Sequence, residues 1–236
     1  MGEAARERGA AIGLFIDELQ YFNQRELGAP IMARHKVQQQ RLPVVLLGAG
    51  LVILPALAGE SKSYAERLFA FPIIGGLSDA DSRKALQDPA VAAGARFDDD
   101  ALTAIVAQTN GYPYFIQEWG YQSWKHAPTP LITAEEVHAA TLSVTTRLDT
   151  NFFRVRFDRL TPSEKRFMRA IADLGPEPQR IGKIAATLQV KVSSLGPVRA
   201  RLISKGMIYS PAHGDLAFTV PLFDQFMRRA MPTLDR

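Results

Sequence analysis

Residues 11–21, Ala-Ile-Gly-Leu-Phe-Ile-Asp-Glu-Leu-Gln-Tyr, decide how this chain is read. An apolar run, residues 12–16, ends in two adjacent carboxylates, Asp17 and Glu18. A short apolar run of this kind is the pattern of a strand buried in a parallel sheet. In open α/β sheets, ligands bind outside the carboxyl ends of the strands, where this acidic pair falls. Asp17 is the candidate ligand for Mg²⁺, held through water, and Glu18 the candidate base that orients or deprotonates an attacking water.

The chemistry that uses such a pair also needs a phosphate cradle of the pattern G-x-x-x-x-G-K-[ST], in which several backbone N–H groups converge on the anion. The residues before residue 12 contain no such loop. The only Gly-Lys pair is Gly182-Lys183, followed by Ile184, with Pro176 and Pro178 between it and Gly175. Proline supplies no N–H donor, so this segment reads as a loop that opens a surface helix. The chain carries the carboxylate half of a nucleotide site without the phosphate half.

With 47% hydrophobic and 22% charged residues, the 236-residue chain has an ordinary globular composition. The absence of cysteine excludes disulfides and thiolate metal sites. His35, His126, His138 and His213 are scattered without ligand spacing, so a structural zinc site is not expected. The N-terminus lacks the apolar core of a signal peptide, and a cytoplasmic protein is expected. Residues 42–59 carry no charge and are long enough to span a bilayer. However, Pro43, Pro55 and Gly48-Ala49-Gly50 punctuate them, so they read as a strand over 44–47 and a turn rather than a membrane span.

Charge is divided unevenly. Residues 1–146 carry 12 Lys and Arg against 16 Asp and Glu, and residues 147–236 carry 16 against 8. A basic final third on an acidic front suggests separate functional units, the second suited to a polyanion.

Three segments follow from the pattern. Residues 1–75 alternate strand and helix: strands at 12–16, 44–47 and 69–74, a helix within 21–40 and a short one at 64–69, which argues for a parallel α/β sheet. Residues 76–146 read as a small all-α unit. Ser78 caps its first helix, Asp98 to Asp100 open a second that ends at Asn110-Gly111, and Pro113 starts a third with Phe115, Ile116, Trp119 and Trp124 inward. Thr133 to Glu136 form a capping box for the fourth. In residues 147–236 a basic-aromatic stretch at 151–157 precedes a second capping box, Thr161 to Glu164. Helices are expected to Leu174, over 181–188, over 193–205 with Leu195, Val198, Leu202 and Ile203 on one face, and over 221–231. Strands at 207–209 and 216–220 flank a turn. Three helices and a hairpin make a winged helix-turn-helix.

The stretches LFIDELQYF, LPVVLLGAGL, SYAERLFAF, GYPYFIQEWGYQSW, FFRVRFDRLTPSEKRFMRAIADLG and KGMIYSPAHGDLAFTVPLFDQFMRR, in that order, resemble the AAA+ ATPases related to archaeal-type and origin-recognition ATPases. The resemblance runs from about Gly13 to Met231. It implies an ATPase core, a helical lid and a C-terminal winged helix, and a chain that lacks the N-terminal part of that architecture with its phosphate loop. The fold class expected is thus an α/β remnant of a P-loop sheet, then an all-α lid and a winged helix, mostly helical overall. By this resemblance Asp17 takes the Mg²⁺ position and Glu18 that of the catalytic base. Arg67 lies where a trans-acting arginine finger would sit, or is a surface arginine paired with Glu66 or Asp79. Gly111-Tyr112-Pro113 looks like the lid turn that touches adenine, or is core packing. Gly48-Ala49-Gly50 stands where the family often has a polar sensor of the γ-phosphate, and no lid arginine follows Pro113. ATP and Mg²⁺ are the family's cofactors, with none expected to bind this chain alone.

If the resemblance holds, the sheet lacks the strand that leads into the phosphate loop. Its open edges then close on the strand at 69–74, recruit another molecule, or rearrange; a homo-oligomer through the edges is expected. In the winged helix, Lys191, Ser193, Ser194, Arg199, Arg201 and Lys205 would face DNA, with Arg154, Arg156, Arg159 and Lys183 near phosphates. The alternatives are a protein-interaction or signalling module, and an ATPase whose site another chain completes.

Overall fold

The computed structural model describes residues 1–234, which divide into two compact units, one of residues 1–74 and one that begins at Gly75.

In the first unit the order is α1 (Gly2–Glu7), β1 (Ile12–Ile16), a 3₁₀ turn (Leu19–Tyr21), α2 (Gln24–Gln39), β2 (Val44–Gly48), α3 (Leu54–Ser61) and α4 (Ala65–Leu68). β1 and β2 pair in parallel, Ile12 opposite Val44 through Ile16 opposite Gly48. Asn23 caps α2 in a full capping box with Glu26, which satisfies the first free N–H groups of the helix. Leu27 and Ile31 of α2 then pack with Leu19, Ala58 and Ala65 in a small core.

Two expectations fail in this unit. Residues 69–74 form no strand. Phe69 and Phe71 turn into the small core, their rings 6.3 Å apart, and Pro72 removes a ladder donor. The sheet is therefore two-stranded, and β1 is not buried. Phe15 is 79% exposed, and Val45 and Leu47 are 53% and 50% exposed. Register puts Phe15 opposite Leu47 and Gly13 opposite Val45, so the three side chains share one uncovered face.

The second unit begins with four helices, α5 (Asp79–Ala92), α6 (Asp99–Thr109), α7 (Pro113–His126) and α8 (Ala134–Leu148). Two short strands, β3 (Arg96–Phe97) and β4 (Leu131–Ile132), pair in parallel between them and were not anticipated. Ser78 accepts from the Asp81 N–H at 3.1 Å and Asp98 from the Ala101 N–H at 2.7 Å, so both expected caps are present. Thr133 and Glu136 form their capping box. Phe115, Ile116 and Trp119 are buried, but Trp124 is 39% exposed at the last turn of α7.

α8 runs through a π turn (Asp149–Phe153) into α9 (Arg154–Phe157). There follow α10 (Pro162–Leu174), β5 (Gln179–Arg180), α11 (Ile181–Leu188), a 3₁₀ turn (Val192–Leu195), α12 (Gly196–Ser204), β6 (Ile208–Tyr209), β7 (Asp215–Phe218) and α13 (Phe223–Ala230). The expected helix over 193–205 is split: the first turn is 3₁₀, and α12 starts at Gly196 with Pro197 in its first turn, where a missing N–H costs nothing. β6 and β7 form the expected hairpin, and β5 adds to its other edge, giving the antiparallel order β5-β7-β6. One continuous core links this part to the four helices, with Phe153, Phe157, Phe167, Phe223 and Phe226 at its centre.

Candidate functional site

The acidic pair lies directly after β1, as the strand reading requires. Two bonds hold the chain there: Ala49 N–H donates to the Ile16 carbonyl at 2.9 Å, and Leu19 N–H donates to the Ala49 carbonyl at 3.0 Å. Asp17 is exposed and accepts the Glu18 N–H at 2.8 Å. Glu18 sits in the left-handed region at φ 57° and accepts a hydrogen bond from Gln20. Gln20 in turn accepts the Leu51 N–H at 3.1 Å, which ties the acidic turn to the segment after β2. A Cβ at Gly48 would meet only the tip of the Leu19 side chain, so a larger residue there requires that side chain to shift.

Among the described residues no cluster of three His, Asp or Glu side chains is placed to hold a metal ion. Asp17 supplies one carboxylate. Mg²⁺ keeps several waters and is commonly bound by one or two carboxylates plus substrate phosphates.

Arg67 is exposed on α4 and forms no ion pair among the described residues; Asp79 bridges Arg83 instead. It lines an open groove of about 580 Å³ with His35, Gln38, Gln39, Tyr64 and Leu68. No hydrogen bond or ion pair joins it to Asp17 or Glu18 among the described residues.

Gly111, Tyr112 and Pro113 belong to the second unit. Gly111 takes φ +70°, and a Cβ there would run into the Leu77 carbonyl. Its own carbonyl accepts the Leu77 N–H at 2.8 Å. Tyr112 is half-buried, with its ring 4.6 Å from that of Phe115 and 6.0 Å from that of Phe152.

The six residues expected to face DNA divide into two groups. Lys191, Ser193 and Ser194 are exposed in the turn before α12. Ser194 Oγ donates to the Lys191 carbonyl at 2.7 Å. Arg199 reaches Ser210 of the hairpin at 3.5 Å, and its Nε is buried without a partner among the described residues. Arg201 and Lys205 are engaged internally. Lys205 Nζ lies 2.7 Å from Glu164 Oε2, and Arg201 Nε lies 3.3 Å from Oε1. The Glu164 side chain has no solvent exposure. Sequence reading found Glu164 only as the last residue of the Thr161 box; its partners lie 37 and 41 residues away, and no local spacing marks them.

Burial alone would raise the Glu164 carboxyl, but hydrogen bonds from Lys205 and from Thr161 outweigh it and hold the group at about 2, against an ordinary 4.5.

Residues 150–227 match the model of a family described as a domain of unknown function (DUF8462). No curated protein sequence matches the chain. Among solved structures the chain is similar to the Walker-type ATPase PABY2304 of Pyrococcus abyssi, with a TM-score of 0.64 and 16% identity over 96% of this chain and 65% of that one. It is also similar to two variants of RuvB from Thermotoga maritima, each with a TM-score of 0.50 and 17% identity over 91% of this chain and 70% of that one. The chain shares its fold with these two ATPases over the matched lengths. Among the described residues no helix is long and apolar enough to cross a membrane.

A carboxyl lowered by folding contributes stability that is complete above its unfolded value and drains as pH falls. Replacing Glu164→Gln should therefore lower the unfolding free energy by about 2–3 kcal/mol at neutral pH. It should also flatten the acid loss of stability between about 4.5 and 2. Denaturant titrations of both proteins across that range measure the two effects.

Proposed function

We propose that residues 147–236 form a winged helix that binds duplex DNA, attached to an AAA+-type nucleotide-binding core that does not hydrolyse ATP by itself. The observation that carries this reading is the arrangement of α10, α11 and α12 with the sheet β5-β7-β6, which leaves Lys191, Ser193, Ser194 and Arg199 at the amino end of α12. The N-terminal residues of a recognition helix are the ones that reach base edges. Arg201 and Lys205, at the far end, are held by Glu164 and contribute less.

That same ion pair favours one other reading. Arg201 and Lys205, at the far end of α12, share one internal carboxylate, which lowers the positive charge there and suits docking of a protein as well as of a polyanion. Salt dependence separates the two, because DNA binding releases counterions and a protein interface need not.

For the first unit, Asp17 and Glu18 support a nucleotide-related role; in the second unit, taken by itself, Gly111-Tyr112-Pro113 suits an adenine contact. The 236 residues hold no phosphate cradle, so no hydrolytic step is assigned to them. The uncovered face of Phe15, Val45 and Leu47 suits a second copy of the chain, since a two-stranded sheet is marginal alone.

Affinity for a random-sequence duplex should fall steeply with salt. Lys191→Ala should weaken binding and reduce the salt slope by about one, while Arg201→Ala changes the slope less. Salt-independent binding, or none, contradicts the DNA reading. Calorimetry with Mg²⁺ and ATP should show no saturable heat up to about 1 mM, and a micromolar dissociation constant overturns the account of the first unit. Sedimentation should find dimers that Phe15→Lys dissociates; a monomer at high concentration removes the second-copy reading.

A further inference from the structure

A small polar cavity lies in the second unit where α13 meets α6, α7 and α8. Its volume is about 80 Å³, and Gln108, Trp119, Thr145, Leu222, Gln225 and Arg229 are among the residues that line it. Trp119 is 3% exposed. Its indole Nε1 is buried, and no group among the described residues accepts its proton. An indole N–H is a donor only, and a buried donor without an acceptor has lost its hydration for nothing in return. Buried tryptophans ordinarily place this N–H on a partner.

The walls of the cavity supply further unused polar groups. The side chains of Gln108, Thr145 and Gln225 make no hydrogen bond among the described residues. Gln108 and Gln225 are exposed, which places the rim at the surface. Arg229 is already matched: its Nε and Nη2 donate to the two oxygens of Asp149 at 2.8 and 2.7 Å. Leu222 holds φ 63° and ψ 0°, a conformation that a bulky side chain seldom adopts. Positions of that kind cluster at ligand clamps.

Space and chemistry together define an occupant. At about 30 Å³ for each water, the cavity has the volume of two to three waters, or of a molecule of about four heavy atoms. The occupant brings an acceptor to the Trp119 N–H. It can both donate and accept at Gln108, Gln225 and Thr145, whose side chains carry both functions. A net charge gains little, because Arg229 has Asp149 and a buried charge without its own partner is costly. We propose that this cavity binds a small uncharged amide, its carbonyl oxygen accepting from Trp119 Nε1 and its N–H groups donating to the polar walls. The site uses no residue of α12 and stands whether or not that helix binds DNA.

The test is a ¹⁵N titration of the full chain with acetamide and acetate. The chain has two tryptophans, Trp119 and Trp124, so two indole signals are followed, and Trp124→Phe assigns them. The Trp119 signal should shift saturably with acetamide at a midpoint of about 1–10 mM, within reach of a four-atom ligand. Trp124, 39% exposed, should drift linearly and report solvent effects alone. Acetate has the same shape and a charge, and should bind about tenfold more weakly. Thr145→Val keeps the side-chain shape and removes the hydroxyl, and Gln225→Met removes the amide at the rim. Each should raise the acetamide midpoint about threefold. A Trp119 signal that stays fixed, or only drifts as Trp124 does, overturns the proposal, since the cavity then takes water alone. Acetate that binds as tightly as acetamide overturns the assignment of an uncharged ligand, and a midpoint that neither variant moves overturns the site. If Thr145→Val does not fold, the exposed Gln225→Met decides alone.

Discussion

The charge character of the last third depends on one buried carboxylate. Glu164 closes the capping box of α10 from inside, with its Oε2 accepting the Thr161 N–H at 2.8 Å. The same group receives Lys205 and Arg201 from α12. Taking a carboxylate fully out of water is costly, and the cost is recovered only when its lone pairs are satisfied. Here three residues satisfy them at once. The result is a fixed relation between α10 and α12, and a helix whose far end carries less net positive charge than its two cations would alone.

The two units meet different physical demands. The second is built on a continuous aromatic core, and the rings of Phe153, Phe223 and Phe226 lie within 5.5 Å of one another. Such packing holds short strands like β5 and β6 in register even though each spans two residues. The first has only a small cluster of buried residues under α2, and its sheet has apolar side chains facing solvent. That exposed face is the surface proposed above for a second copy of the chain. The acidic turn after β1 is nevertheless well fixed by backbone bonds to the segment after β2. The turn that carries Asp17 and Glu18 is therefore held by the unit's own backbone.

What could be read from the sequence follows the range of each interaction. The caps at Ser78, Asp98, Thr133 and Thr161 act within three residues, and all four stand as the sequence implied. The parallel pairing of β1 with β2 and the hairpin β6-β7 were legible from apolar runs and turns. The strand expected at 69–74 was not realised, because a strand needs a partner and the nearest edge offers none that Pro72 can join. Trp124 was placed inward from helical spacing, but in the last turn of α7 it is 39% exposed. Arg201 and Lys205 looked like free surface cations because the carboxylate that takes them lies some forty residues upstream.

The claim that Glu164 sets which cations of α12 are free is tested most directly by the salt dependence of duplex DNA binding, measured side by side for the natural chain and Glu164→Gln under conditions where both are folded. Releasing Arg201 and Lys205 should steepen the slope of log affinity against log salt by about one to two. Equal slopes, or no binding by either protein, would contradict the account.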